Sequence, residues 1–588
     1  VGLGLWCSAS YAQQLSISGA VHDAHGVVPS ATVTLQAASG SKTEATTDDA
    51  GQYHFDGLSA GLYQLEFRRE GFAPSAETLS LAAESRTVDV TLTVAGAATS
   101  IDVIDVAGKS TGTRMEISDR EIPSQITVVS QTTLREQGVS DLAAALENAS
   151  GVITQVQYGV YEWYTIGGVT QQSGNDFLFV DGMTLTGNRS NTLINNIEEV
   201  QVFNGPNAAL YGGAGASQGG MVNVIRKKPQ AHCVQELMYR AGPWGLQQVG
   251  GASAGSIFGL TRLLYRVDTA YAHADGWRDS GSNRFNFSPS IAWLITDRLR
   301  ITANQTFVRD RYTLDGGVLT RLLNQPGFPV DRKLNPPGDF QLTREWQNLI
   351  VFNANITNRL SFRNSFYKGR KRDQYLDAET MSYVPATNVV NRTELYFQHN
   401  RRPTQNQSDF IGDYTFWGLR HRFLVGYDYQ EQYNFSNRTD DAPGTSNSNG
   451  IPLPPVVLAD WLKPGYVDPA PIYTNFPRTR VDYSANAVNA FAWQDQIDIT
   501  RRLKINVAGR YDDYKRRTHN DTYANDVFVS RGPEAGQRHQ THYSYRAGAV
   551  YEVTRNQWVY FGASSTFSTG IYDSGGSKRI GTNYFDWL

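Results

Sequence analysis

The chain has 588 residues, of which 40% are hydrophobic, 12% aromatic and 19% charged, with a formal net charge of −3 and a mean hydropathy of −0.41. The length exceeds one ordinary domain, and the scattered cations exclude a nucleic-acid surface. The absence of any apolar run of about 18 residues excludes a helical membrane span, but not a β-barrel, whose strands are apolar on one face only.

Residues 1–12 read as the end of a secretory signal: an apolar run, then Ser10 and Ala12 spaced as in a small-residue cleavage site ahead of Gln13. No initiator Met or basic stretch precedes it, so a truncated start is expected. Cys7 lies inside this segment and leaves Cys233 alone in an exported chain without a disulfide framework.

Residues 13–95 carry short alternating runs, such as Ala31–Leu35 and Leu62–Phe67, between turn residues at Gly26, Gly40, Asp48–Gly51 and Gly57–Gly61. This spacing predicts a small β-sandwich. ISGAVHDAHGVVPSATVTL and TTDDAGQYHFDGLSAGLYQLEFRREGF resemble the carboxypeptidase regulatory-like domain. His22 and His25 could be imagined as a metal pair, but a strand-end turn accounts for them. Residues 96–120 form a polar connection with one alternating apolar island, Ile101, Asp102, Val103, Ile104, Asp105 and Val106. It reads either as the last strand of the sandwich or as a segment able to pair with another protein by strand addition.

Residues 121–229 read as an α/β unit. Ile126–Val129 is a strand, 132–138 and 140–148 are helical with Ser140 as N-cap, and strands follow at Asp176–Val180 and Ile197–Phe203. The unit ends in FNGPNAALYGGAGASQGGMVNVIRKKP. No Gly-Lys-[Ser/Thr] follows the glycines, and the residues after them are strand formers, so neither a P-loop nor a dinucleotide fingerprint fits. The glycines serve backbone geometry instead. Gly205 and Pro206 turn the chain, Tyr211, Gly212, Gly219 and Gly220 allow close packing of chain against chain, Met221–Ile225 is the closing strand, and Pro229 stops it.

From residue 230 to 588 the pattern is a meander of period two. Phe285, Phe287, Ile291 and Trp293 alternate with Asn286, Ser288, Ser290 and Ala292, and Phe423, Val425 and Tyr427 alternate with Gly426 and Asp428. A soluble sandwich alternates in the same way, so loop length decides. Tight turns at Phe258-Gly259, Thr296-Asp297, Thr357-Asn358, Gly418-Leu419, Thr500-Arg501 and Thr554-Arg555 are interleaved with mostly long connections, including 311–343, 372–404, 436–485 and 516–540. That segregation predicts a transmembrane antiparallel barrel of about 13 strands, with Trp417, Trp493, Tyr511 and Trp558 in its interfacial girdles.

From residue 121 onward the chain resembles a TonB-dependent outer-membrane receptor of the siderophore type. ITVVSQTTLREQGVSDLAAALENASGV, FLFVDGM and IEEVQVFNGPNAALYGGAGASQGGMVNVIRKKP resemble the plug, and FAWQDQIDITRRLKINVAGRYDDY and YRAGAVYEVTRNQWVYFGASSTF resemble barrel strands. Gly167-Gly168 stands where the family often has Arg-Gly, and Gln201 where it has Glu. The family barrel has about 22 strands, so a C-terminally truncated barrel is expected.

The resemblance implies a mainly β protein with an N-terminal sandwich, an α/β plug and a membrane barrel, not an enzyme. No His-Glu-x-x-His or His-x-x-Glu spacing offers a zinc site. It implies uptake of ferric siderophores energised by TonB and its inner-membrane complex, with glycan or peptide uptake as the rival reading and a passive porin or adhesin behind them. Iron would enter only within the siderophore, with no covalent cofactor. Outer-membrane lipid would surround a monomer. By the same resemblance Ile101–Val106 is the TonB-box candidate. Tyr158, Tyr161, Trp163 and Tyr164 are the candidate ligand contacts, with ordinary plug–barrel packing as their alternative role.

Overall fold

The computed structural model describes residues 15–92, 113–439, 451–565 and 583–586, apart from 24–25, 38–40, 70–74, 83, 140, 158–160, 172–177, 186–188, 191–192, 213–218, 259, 324, 326, 474, 525 and 555–556. Contacts divide it into two units, 1–101 and 102–588.

The first unit is a β-sandwich. One sheet pairs Leu15–His22 with Gln52–Leu58, Arg86–Thr87 and Val90–Thr91, and the other runs Lys42–Thr46, Thr32–Ala37, Gly61–Arg68, Ser75–Leu81. Alternate residues of these strands, among them Ile17, Val33, Leu35, Tyr53, Phe55, Leu65 and Phe67, form one buried core. His22 closes its strand in a bridge to Val27, and His25 lies outside the described residues.

The second unit holds the plug and the barrel. The plug's main sheet runs Met183–Thr184, Leu178–Val180, Gly220–Arg226, Ile197–Asn204, Ile126–Ser130. All seven residues of Gly220–Arg226 are buried, as a central strand requires. Two short helices pack on it, α1 (Gln131–Glu136) and α2 (Leu142–Leu146). The N-cap of α2 is Asp141, not Ser140: its carboxylate accepts from the Ala144 amide at 3.0 Å. A second sheet joins Val152–Gln157, Tyr161–Ile166 and Val169–Gln171. A third helix, α3 (Ala208–Tyr211), follows the Gly205-Pro206 turn.

The barrel wall is one antiparallel sheet in chain order. Its long strands are β1 (Val234–Ala241), β2 (Gln247–Ile257), β3 (Leu260–Ala274), β4 (Ser282–Thr296), β5 (Leu299–Tyr312), β6 (Phe340–Asn355), β7 (Leu360–Val384), β8 (Val389–Phe416), β9 (Leu419–Thr439), β10 (Arg480–Asp498), β11 (Leu503–Ala524), β12 (Ala535–Thr554) and β13 (Gln557–Ser565). Among the described residues no ladder joins the first strand to the last. The tight turns fall where the sequence puts them. Of the long connections, 311–343 and 436–485 are borne out as long spans between β5 and β6 and between β9 and β10, whereas 372–404 is mostly strand, because β7 and β8 continue in register to Val384 and Val389 and meet across four residues. Residues 516–540 are likewise mostly strand, from the outer part of β11 through Val527–Arg531 into β12. These stretches carry no continuous apolar face toward lipid yet keep their ladders, since β pairing outside the membrane needs only partners, not lipid.

Period two sorts the wall. Phe287, Ile291, Trp293, Val425, Tyr427 and Phe491 are exposed on the outside, while Asn286, Ser288, Ser290, Thr302 and Thr306 are buried against the plug. Trp558 belongs to the inner set, with the Arg120 guanidinium 4.8 Å above its ring, and so leaves the outer girdle. Asp141→Ala is expected to cost the plug about 1 kcal/mol by removing the α2 cap, read as faster hydrogen exchange over 142–148 with unchanged exchange in β6 and β7.

Candidate functional site

The side of the barrel that carries the long connections holds an aromatic cluster at the plug surface. In Tyr161–Ile166 alternate side chains take opposite faces. Tyr161 joins Tyr312, Leu314, Tyr375, Leu395 and Phe397, with Trp163 against them. Tyr161 meets Tyr375 edge-on at 5.9 Å, and Tyr375 stacks on Phe397 at 4.9 Å. The indole N–H of Trp163 is buried without a hydrogen-bond partner among the described residues. Tyr164, one residue out of phase, lies fully buried in the plug core and donates its hydroxyl proton to Glu162. Tyr158 lies outside the described residues. The structure thus brings Tyr161 and Trp163 together with barrel aromatics that sequence reading could not name, and separates Tyr164 from them.

At the start of the plug, Met115, Ile117 and Ile122 are buried against Leu424 of β9, so packed chain begins ahead of residue 121. Beside them Arg114, 2% exposed, is held by the barrel wall. Its guanidinium donates to both carboxylate oxygens of Asp428 at 2.8 and 2.9 Å and to Asp409. Arg363 donates to the Arg114 carbonyl at 3.0 Å and to Asp409 at 2.6 Å. Arg510 bridges Asp428 and Asp512. Three arginines and three aspartates therefore balance in one buried network across β7, β8, β9 and β11. The aspartates keep the Arg114 guanidinium firmly protonated despite the burial that works against it. Tyr211 lies in the same field, its phenol pushed up to about 12 by burial, with its ring 5.0 Å from Phe179.

The predicted glycines divide between two tasks. Gly212, at φ +83°, lies where a Cβ would meet Arg510 and Asp512 at 2.7–2.8 Å, so its backbone presses on the wall. Gly219 and Gly220 pack inside the plug: a Cβ on Gly219 would lie 1.9 Å from the Ile166 carbonyl oxygen, and one on Gly220 2.2 Å from that of Phe203. Gly205 donates its N–H to the Gly219 carbonyl at 2.9 Å, and Pro206 is buried. Gln201 donates to Glu199 at 2.6 Å. Ile101–Val106 lies outside the described residues.

Over the aromatic cluster the outer connections pack into a cap. Phe328 stacks on Trp461 at 5.2 Å, and buried Arg392 binds Asp468 and the carbonyl oxygens of Leu334 and Pro454. Next to it lie three buried carboxyl groups, Asp339, Asp377 and Glu394. Asn335 donates to Asp339 and Asp377 at 2.7 Å each, and Asp339 and Glu394 share a hydrogen bond. Glu394 sits 22 residues from the Phe416 end of β8, about twice a membrane-crossing strand. Burial, then Asp339, pushes its carboxyl up to about 9.

Two outcomes follow. Glu394 binds its proton more tightly folded than unfolded, so its contribution to stability is complete below its ordinary 4.5 and is lost as pH rises through about 9. Hydrogen exchange over 313–339 is expected to accelerate across that window and to lose the dependence in Glu394→Gln. Arg114→Gln strands buried Asp409 and Asp428 and is expected to destabilise the plug–barrel contact by about 3–5 kcal/mol, seen as protease cleavage near 113–125, with partial recovery in the Arg114→Gln/Asp428→Asn pair.

Family models match the chain as a carboxypeptidase regulatory-like domain over residues 16–93, a TonB-dependent receptor plug domain over 118–219 and a TonB-dependent receptor-like β-barrel over 238–587. The metal-pseudopaline receptor CntO of Pseudomonas aeruginosa is 26% identical over 481 residues, 80% of this chain and 64% of that protein. The ferrioxamine B receptor of Salmonella typhimurium is 24% identical over 69% of this chain and 57% of its own length. The chain thus spans less than two thirds of these relatives. The open form of the ferric-catecholate import receptor Fiu from Escherichia coli K12 shares the fold at TM-score 0.66 and 18% identity, over 79% of this chain and 72% of that one. The siderophore receptor PiuA of Acinetobacter baumannii does so at TM-score 0.66 and 16% identity, over 80% and 67%. With the barrel model alone covering more than half of its length, the chain belongs to the TonB-dependent receptor family of the cell outer membrane.

Proposed function

We propose that the protein imports ferric siderophores across the outer membrane, energised by TonB acting on Ile101–Val106. The observation that carries this reading is the aromatic cluster of Tyr161 and Trp163 with Tyr312, Tyr375 and Phe397, on the side of the long connections. Rings and phenol or indole donors suit the flat, partly apolar shell of an iron chelate. The named ligands of the related receptors, a metal–pseudopaline complex and ferrioxamine B, support the same class.

In this mechanism a chelate settles on the cluster beneath the cap. Force on the N-terminal segment then reaches Arg114, the first buried charge after the linker. An ion network resists until its geometry is lost and then yields at once, because each hydrogen bond holds only over a few tenths of an ångström. Gly212 leaves no side chain to catch on the wall as the plug shifts. Uptake of glycans or peptides is the second reading, on the strength of the N-terminal regulatory-like domain.

Growth of a strain carrying the full-length gene on Fe(III) chelates, set against growth on glycans or peptides, separates the two; no response to any iron chelate overturns the siderophore reading. Tyr161→Ala and Trp163→Ala are expected each to weaken chelate binding about tenfold, roughly the 1–1.5 kcal/mol of one aromatic contact, with Tyr164→Phe near wild type, as measured by fluorescence quenching on titration with ferric catecholate and hydroxamate complexes.

A further inference from the structure

The outer wall of the barrel carries a cluster of cations that the transport reading leaves unused. Arg309 of β5 lies directly abreast of Arg344 of β6, and Arg344 directly abreast of Arg372 of β7. One row nearer the tight turns, Phe307, Trp346 and Arg370 lie abreast, and the next row places Asn348 beside Lys368. Arg402 of β8 completes the group; the charged neighbours of Arg370 are Arg372 and Arg402, and its Nε has no partner among the described residues. Arg309, Arg344, Lys368, Arg372 and Arg402 are exposed.

Among the described residues no acid stands directly abreast of these arginines. The cluster's other outward neighbours are Phe285 beside Arg309, Asn400 beside Arg372, Thr404 beside Lys368 and Tyr433 beside Arg402, while Glu431 of β9 lies beside Thr404, away from the Arg309–Arg344–Arg372 row, and is hydrogen-bonded to Tyr433. The acids of the same strands, Asp310, Glu345 and Asp373, occupy the alternate positions and are buried on the inner side. Like charges directly opposite on neighbouring strands, about 5 Å apart, destabilise a sheet. Three arginines abreast are therefore a local cost that an anion would relieve.

Depth identifies the anion. Arg344 stands about 11 residues from Asn355 at the tight-turn end of β6, the length of one membrane crossing. Phe307 and Trp346, with rings 5.4 Å apart, lie just below it at the place of an aromatic girdle. Beneath them Ile350, Phe366 and Phe410 are exposed as an apolar wall. The arginine row thus sits at the level of the outer headgroups, with a surface for acyl chains under it. Arginine forks match phosphate oxygens two at a time. We propose that this face of β5–β8 is a binding site for an outer-leaflet lipid with a phosphorylated headgroup, its phosphates on Arg309, Arg344, Arg372 and their neighbours and its chains on the apolar wall below.

The test uses the protein in neutral detergent micelles, titrated with a bisphosphorylated glycolipid of the lipid A class, its dephosphorylated form, phosphatidylglycerol and inorganic phosphate, with bound lipid counted by native mass spectrometry. The bisphosphorylated lipid is expected to bind at least tenfold more tightly than its dephosphorylated form. R309Q/R344Q/R372Q should lose that preference, while K515Q/R517Q, which removes two cations from another part of the wall, should keep it. A single R344Q, expected to lose about threefold, gives the answer should the triple variant not fold. Equal binding of the dephosphorylated lipid, equal loss in K515Q/R517Q, or displacement by millimolar inorganic phosphate would each overturn the proposal, the last by making the site one for free anions. A preference for phosphatidylglycerol over the glycolipid would confirm a phosphorylated lipid and reassign its headgroup.

Discussion

Inside a bilayer no water is present to pair with the peptide group, so every N–H and C=O of a crossing strand must find its partner in the next strand. That constraint produces the continuous ladder from β1 to β13 and, because a strand shows its side chains alternately, it also produces two unlike surfaces from one sequence. The outer surface must be apolar. The inner surface is then free to be polar, and here it is: Asn286, Ser288, Thr306, Asp409, Gln405, Arg510 and Asp512 are buried on the inner side, and Asp428 accepts from Arg114 of the plug. The plug meets them with matching chemistry. Thr184 exchanges two hydrogen bonds with Gln405 at 3.1 and 2.7 Å, Asn196 donates to Ser288 at 2.8 Å, Arg226 donates to Thr306 at 3.1 Å, and Arg546 donates to Ser124 at 2.6 Å.

A polar interface suits an object that must stay in place and still be movable. An apolar contact of the same area would resist separation in proportion to the surface exposed. Hydrogen bonds and ion pairs can be exchanged for water as they break, so their net worth is small although each is sharply placed. The Arg114 network is the exception, since its members are too deeply buried to be rehydrated singly. It is neutral as a whole, and the loss of any one member leaves an opposite charge stranded. Among the described residues the plug thus has one stiff attachment, at the end where the linker enters, and many soft ones elsewhere.

How far the sequence could be read depended on whether the signal was local. Alternation named the strands, and tight turns at Phe258, Thr357 and Gly418 were visible because so few residues fit them. The helix cap was misplaced by one residue, since Ser140 and Asp141 are both competent acceptors and only the backbone direction chooses between them. The span 372–404 read as loop because its charged and aromatic residues show no continuous period-two apolar face, yet a hairpin above the membrane needs none. Tyr164 could have been separated from Tyr161 and Trp163 by the same period-two rule that found the barrel. Arg510 and Asp512 stood in the motif GRYDDY, where alternation already placed both on the inner face, but nothing in the sequence joined them to Arg114.

What the sequence determined alone is what near neighbours along the chain decide: a sandwich, an α/β plug and a membrane wall, in that order, with glycines where backbone must approach backbone. What only the tertiary structure decided is which distant residues share a neighbourhood. The Arg114–Asp428 pair, the Tyr161–Tyr375–Phe397 stack, the Asp339–Glu394 contact and the row Arg309–Arg344–Arg372 are all set by strand register. Register is a property of the continuous ladder of hydrogen bonds, fixed when turns and strand lengths are satisfied together. No single segment carries it.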